Sequence, residues 1–98
     1  MNHFELSGSL VAIEPVRYTP AGVPVVNFVL QHASEQAEAA QQRQVECEVN
    51  VVLVGDDALF LKTAKLNERY QVTGFLARKS KHSKSLVLHA QTLRFLPD

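Results

Sequence analysis

Tryptophan is absent from this 98-residue chain and cysteine occurs once. A lone thiol, Cys47, excludes an internal disulfide and a cysteine-built zinc cluster, and it fits a reducing compartment. Long apolar runs are missing as well. Val51–Val54 is as long as any wholly apolar stretch gets, far short of the roughly 20 residues a membrane-crossing helix needs. The opening Met1-Asn2-His3-Phe4-Glu5 lacks the basic-then-apolar order of a signal peptide. The expectation is a single cytoplasmic domain over residues 1–98 with no membrane partner.

The residues of catalysis are missing too. There is no glycine-rich phosphate loop and no nucleophile elbow. His3, His32, His82 and His89 lack ligand spacing with one another. No metal, no cofactor and no enzymatic activity are expected, so the chain reads as a binding module. His89, within Leu-Val-Leu-His-Ala, reads as a satisfied sheet residue rather than a ligand.

Net charge is also lacking, since ten basic residues balance ten acidic ones. The balance hides an asymmetry. Residues 1–57 hold eight acids against Arg17 and Arg43, a net −6, and residues 58–98 hold the reverse, a net +6. Four cations crowd the seven residues from Arg78 to Lys84 with no acid among them. Such polarity predicts an anionic partner on one side of the molecule.

What the sequence has in quantity is alternation. Gln44-Val45-Glu46-Cys47-Glu48-Val49-Asn50-Val51 is polar and apolar by turns, a half-buried strand. Its parity places Val45, Cys47, Val49, Val51 and Leu53 inward, and predicts a buried, inert Cys47. Val25–Gln31 reads as a second strand with Val26, Phe28 and Leu30 inward. Residues 4–14, 69–79 and 85–96 complete five strands. Phe4, Phe28, Phe60 and Phe95 are assigned to the core. Two of the four glycines, Gly8 and Gly74, fall inside strands, where glycine permits a sharp bend or a close backbone approach. After Gly55, the run Asp56–Lys65 begins with acids and ends with lysines, as suits a helix dipole, and Asp56 or Asp57 can cap its first turn. Residues 34–43 have helical propensity but no apolar face, and read as an exposed connection.

The predicted order β-β-β-α-β-β describes an all-β chain, a five-stranded OB-fold Greek-key barrel with a short helix between the third and fourth strands. A mixed α+β sheet is the alternative, but one short helix covers little area. In an OB-fold the loops after the first and fourth strands flank the ligand face. Here those loops are residues 15–22 and the basic stretch, so the cations lie where a single nucleic-acid strand would run. The candidate nucleic-acid-binding residues are Arg17, Tyr18, Arg43, Arg78, Lys79, Lys81, His82 and Lys84. Tyr18 is the best candidate for base stacking. Phe75, opposite in parity to Tyr70, Val72 and Leu76, either is exposed or packs under the helix.

Arg17-Tyr18-Thr19-Pro20-Ala21-Gly22 and Val25-Val26-Asn27-Phe28-Val29-Leu30 resemble a signature of bacterial single-stranded-DNA-binding proteins. Leu6-Ser7-Gly8, Gly74-Phe75-Leu76 and Leu86-Val87-Leu88-His89-Ala90 resemble one branch more closely, the primosomal replication protein N (PriB) family. The likeness covers nearly the whole chain. It implies a homodimer of OB-folds that binds single-stranded DNA without sequence preference during replication restart. It also implies association with the PriA helicase, DnaT and the single-stranded-DNA-binding protein. By position, Arg17 matches a basic residue of the family's first loop. Lys79, Lys81 and Lys84 match its basic fourth-to-fifth-strand loop, which contacts both DNA and the helicase.

Three positions depart from the pattern. Glu46 stands where relatives place a tryptophan, glutamine at 41 or 42 replaces an aromatic, and Ala33 replaces an arginine. An acid facing the DNA path repels phosphate, which favours a rival reading as a protein-interaction module. A general single-strand protector is a second rival, and the glycine- and proline-rich tail of that class is not in this sequence.

Overall fold

The alternating segments pair into one six-stranded sheet in the computed structural model, which describes residues 1–97; Asp98 lies outside the described residues. The strands are β1 (Phe4–Ile13), β2 (Arg17–Tyr18), β3 (Pro24–Glu38), β4 (Gln41–Val54), β5 (Arg69–Arg78) and β6 (Leu86–Leu96). A 3₁₀ helix, Asp56–Thr63, separates β4 from β5. Strand order is β1-β5-β6-β4-β3-β2, and an added β1–β3 pairing closes the barrel. β1 makes that closure by dividing its length: Phe4 to Ser9 pair with β5, and Ser9 to Ile13 with β3. A parallel contact, Val51–Leu53 against Leu88–Ala90, completes the OB-fold topology.

Closure needs tight bends, and two glycines permit them. A Cβ on Gly8 would lie 2.6 Å from the Gln31 carbonyl oxygen, and one on Gly74 only 1.8 Å from that of His89. β5 and β6 shift register beside Gly74, and β1 and β3 shift between Leu10 and Ala12. Such bulges increase local twist and let a short sheet curl onto itself.

The barrel is filled by the even residues of β3 and β5, the odd residues of β4, and the even residues of β1 as far as Leu10 and of β6 as far as Ala90. Beyond the two register shifts the parity changes, and Ile13 and Leu93 take the inward positions. Leu10, Val26, Leu30, Val51, Leu53, Val72 and Leu88 are almost completely buried. Each such side chain stabilises the fold by about 1.5–3 kcal/mol. Ala58 and Leu61 of the 3₁₀ helix join them and plug one end. Tyr70 is buried too, its hydroxyl donating to the Glu68 carboxylate at 3.2 Å; burial first, then that carboxylate, pushes the phenol above its usual value.

Several expectations are corrected. Residues 34–43 are not a connection: β3 and β4 form one continuous ladder from Val25↔Val54 to Glu38↔Gln41. Only Ala39 and Ala40 turn, both at positive φ (51° and 64°). Cys47 is exposed, because this hairpin arm outruns the barrel and its inward parity meets no opposing sheet. Of the four phenylalanines assigned to the core only Phe28 is buried; Phe4, Phe60 and Phe95 are exposed. The helix is 3₁₀ rather than α, and neither Asp56 nor Asp57 caps it through its side chain.

Two left-handed alanines make a two-residue hairpin turn whose geometry favours Asn-Gly. Each non-glycine residue held there costs about 1–2 kcal/mol. Replacing Ala39 with Asn and Ala40 with Gly is therefore expected to stabilise the protein by about 1 kcal/mol or more in urea denaturation. A neutral or destabilising result would show that the turn is not held in this conformation in solution.

Candidate nucleic-acid interface

The outer face of the curled sheet carries the residues opposite in parity to the core. Register brings them into rows. Phe75 of β5 lies beside His89 of β6, His89 beside Val52 of β4, and Val52 beside Asn27 of β3. Arg17 of β2 ends the row, its guanidinium donating to the Asn27 side-chain oxygen. Val25, Val52 and Val87 form a small apolar floor. The result is an open groove of about 750 Å³, with Arg17, Thr19, Asn27, Asn50, Lys79 and His89 around its apolar base.

Arg17 and Lys79 come from the two loop regions that flank an OB-fold ligand face, and both line this groove. Beyond Lys79 the basic loop is pinned by its own backbone. The Lys79 amide donates to the Ser85 carbonyl (2.9 Å), the Ser83 amide to the Ser80 carbonyl (3.2 Å), and the Arg78 guanidinium to the Lys81 carbonyl (3.0 Å). Arg78 is thus spent partly on shaping the loop. Lys79, Lys81, His82 and Lys84 are exposed, and among the described residues none of them makes an ion pair. Glu14 lines the groove as well, so its potential is mixed rather than uniformly positive.

Two candidates lie elsewhere. Tyr18 neighbours Arg17 on a two-residue strand, where consecutive side chains leave on opposite faces. Its exposed ring lies 5.8 Å from the Lys62 ammonium, a cation–π arrangement, and is not part of the groove lining. Arg43 lies near the tip of the hairpin arm, ion-paired with Glu38 at 3.2 Å, on the parity opposite to Asn50 and Val52. Glu46 and Glu48 do share the groove parity, exposed along the arm opposite Ala33 and Gln31.

Sequence reasoning missed His89. It is half-buried and lines the groove, with its ring stacked on Phe75 at 4.9 Å between centroids and 1° between planes. The signal was available in the alternation of β6: Leu88 and Ala90 point inward, so Val87 and His89 must point out.

Among the described residues no three histidine, cysteine, aspartate or glutamate side chains gather as metal ligands. No helix among them is long and apolar enough to cross a membrane.

A curled barrel with a basic-rimmed groove defines a class, and the comparisons agree with it. Residues 2–92 match the model of a family described as another single-strand binding protein family. Replication restart protein PriB of Bordetella pertussis is 42% identical over 94 residues, spanning 96% of this chain and 88% of the relative. The crystal structure of PriB from Ralstonia solanacearum superposes with a TM-score of 0.86 at 39% identity, covering 97% of both chains. The single-stranded DNA binding protein of Thermus aquaticus shares the fold, with a TM-score of 0.80 at 23% identity over 99% of this chain and 51% of that one. This chain belongs to the PriB family of replication restart proteins, within the OB-fold single-strand-binding class.

Proposed function

We propose that residues 1–98 act as one OB-fold domain that binds single-stranded DNA, without sequence preference, as a non-catalytic accessory of the primosome in replication restart. The observation that supports the reading is that Arg17 and Lys79 line one open groove, and that the exposed lysines at 81 and 84, in the same loop as Lys79, make no ion pair among the described residues. Backbone phosphates repeat along a strand whatever its bases, so such cations hold DNA without reading it. Arg17, Arg78, Lys79, Lys81, His82 and Lys84 are the proposed contacts. Tyr18 and Arg43 would meet DNA only where a strand left the groove.

A homodimer is part of the proposal. The first half of β1, Phe4 to Gly8, pairs with β5 on one edge, and its β3 pairing begins only at Ser9. That leaves a stretch of sheet edge on which a second copy could add. Association with the PriA helicase, DnaT and the single-stranded-DNA-binding protein is proposed from family membership, and a cytoplasmic location follows from the same role.

Fluorescence anisotropy of a labelled oligothymidine tests the reading. Neutralising about four phosphates gives a log–log salt slope of roughly −3, about a fifty-fold loss of affinity between 50 and 200 mM salt. Salt-independent binding, or none at low salt, would remove DNA from the proposal. A second reading, in which the basic loop docks an acidic protein partner and DNA is incidental, gains support from Glu46 and Glu48 on the groove parity. Helicase pull-down and DNA binding, measured with the same loop variants, separate the two.

A further inference from the structure

Among the described residues the exposed rings of Phe4, Tyr18, Phe60 and Phe95 all lie outside the groove lining. Tyr18 faces Lys62, Tyr70 and Phe28 are buried, and the groove lining includes only Phe28 and His89 as rings. Phe28 is 2% exposed, so a base cannot reach its face. His89 differs. Phe75 lies parallel against one side of its imidazole. The side that remains is turned along the row toward Val52 and Asn27, which is the groove. Among the described residues neither ring nitrogen of His89 is hydrogen-bonded, and no unpartnered side-chain nitrogen is buried. The imidazole nitrogens are therefore not sealed from solvent.

We propose that His89 is the base-stacking platform of this groove, with Phe75 as the positioning residue that holds the imidazole upright. The proposal rests on the reading of the groove as a single-strand site. A nucleobase inserted over Val52 would lie face to face with His89, extending the Phe75–His89 stack by one member. The neighbouring strand positions carry Asn27 and Asn50, whose amides can serve the edge of any base. The phosphates would then pass Arg17 on one side and Lys79 on the other. Every base has a π-face, so a single platform adds affinity without adding sequence preference.

The test compares oligothymidine with an abasic strand of equal length, which keeps the phosphates and removes the bases. Wild-type protein is expected to prefer oligothymidine by about tenfold, the order of one stacked base. His89→Ala should abolish that preference while leaving abasic-strand affinity unchanged, and His89→Phe should preserve it. Phe75→Leu should reduce the preference without affecting the abasic strand. His89→Leu, which keeps apolar volume in the sheet, replaces the alanine variant if that one does not fold. Equal wild-type affinity for the two strands, a preference that survives the Ala or Leu change, or its loss in His89→Phe would each overturn the platform. Failure of wild-type protein to bind either strand at low salt would instead sink the DNA reading itself, and the platform with it.

Discussion

Replacing Lys79, Lys81 and Lys84 together with alanine is expected to weaken oligothymidine binding by about a hundredfold at 50 mM salt, and to flatten the salt slope by about 2. The three ammonium groups are exposed, and among the described residues none is neutralised by an acid. Each is therefore available to displace a counterion from a phosphate. Little stability should change, because the bonds that shape the loop are made by backbone groups, the Ser83 hydroxyl and Arg78. Anisotropy across a salt series checks both numbers, and a thermal melt checks the fold. The slope is the sharper readout: a loss of affinity with the slope unchanged would mean that the lysines act through loop structure rather than through phosphates. Arg78→Ala alone offers a contrast. It removes a guanidinium that holds the Lys81 carbonyl, so it should disorder the loop and lower affinity by more than one charge accounts for.

The barrel strands were legible because they are half-buried. Val26, Phe28 and Leu30 against Asn27 and Val29, or Val49 and Val51 against Asn50, write their two faces directly into the sequence. The hairpin arm was not legible, since Ser34 to Glu38 and Gln41 to Gln44 are polar or small on both faces and leave no period to detect. Backbone pairing, propagated from the barrel, keeps those residues extended. Parity also tells which face a residue occupies but not what lies above it. Cys47 shares the face of Val49 and Val51, yet it lies past the edge of the barrel and is exposed. The same limit explains Phe4 and Phe95, which lie near strand ends. For the candidate interface, charge clustering found the basic loop. The orientation of Tyr18 depended on the two-residue β2, too short to read from any pattern. His89 was hidden by its apolar neighbours, which made the segment look like core on both sides.

Gly74→Ala should be the most damaging single-methyl change in the chain. The added Cβ would meet the His89 carbonyl oxygen at 1.8 Å, its carbon at 2.8 Å and the Ala90 Cα at 3.1 Å, all backbone atoms. No rotamer change relieves such a clash. The β5–β6 ladder must separate by more than an ångström at the bulge, beside the parallel pairing of β4 with β6 that completes the barrel. Overpacking a core typically costs about 1–3 kcal/mol, and a rigid backbone obstacle lies beyond that range, at about 4 kcal/mol or more. A domain of this size holds about 5–15 kcal/mol in all, so the melting temperature should fall by about 20 °C, or the protein should fail to accumulate. Gly8→Ala, at 2.6 Å from the Gln31 oxygen, should cost less. Gly22→Ala, with open space around it but a φ of +84°, should cost only the left-handed strain of about 1–2 kcal/mol. The displaced ladder carries His89 with it, so any folded Gly74→Ala protein should also lose base-dependent binding before it loses affinity for the abasic strand. A melting temperature within a few degrees of wild type would mean that β5 and β6 do not approach this closely in solution, and the curvature that forms the groove would need another source.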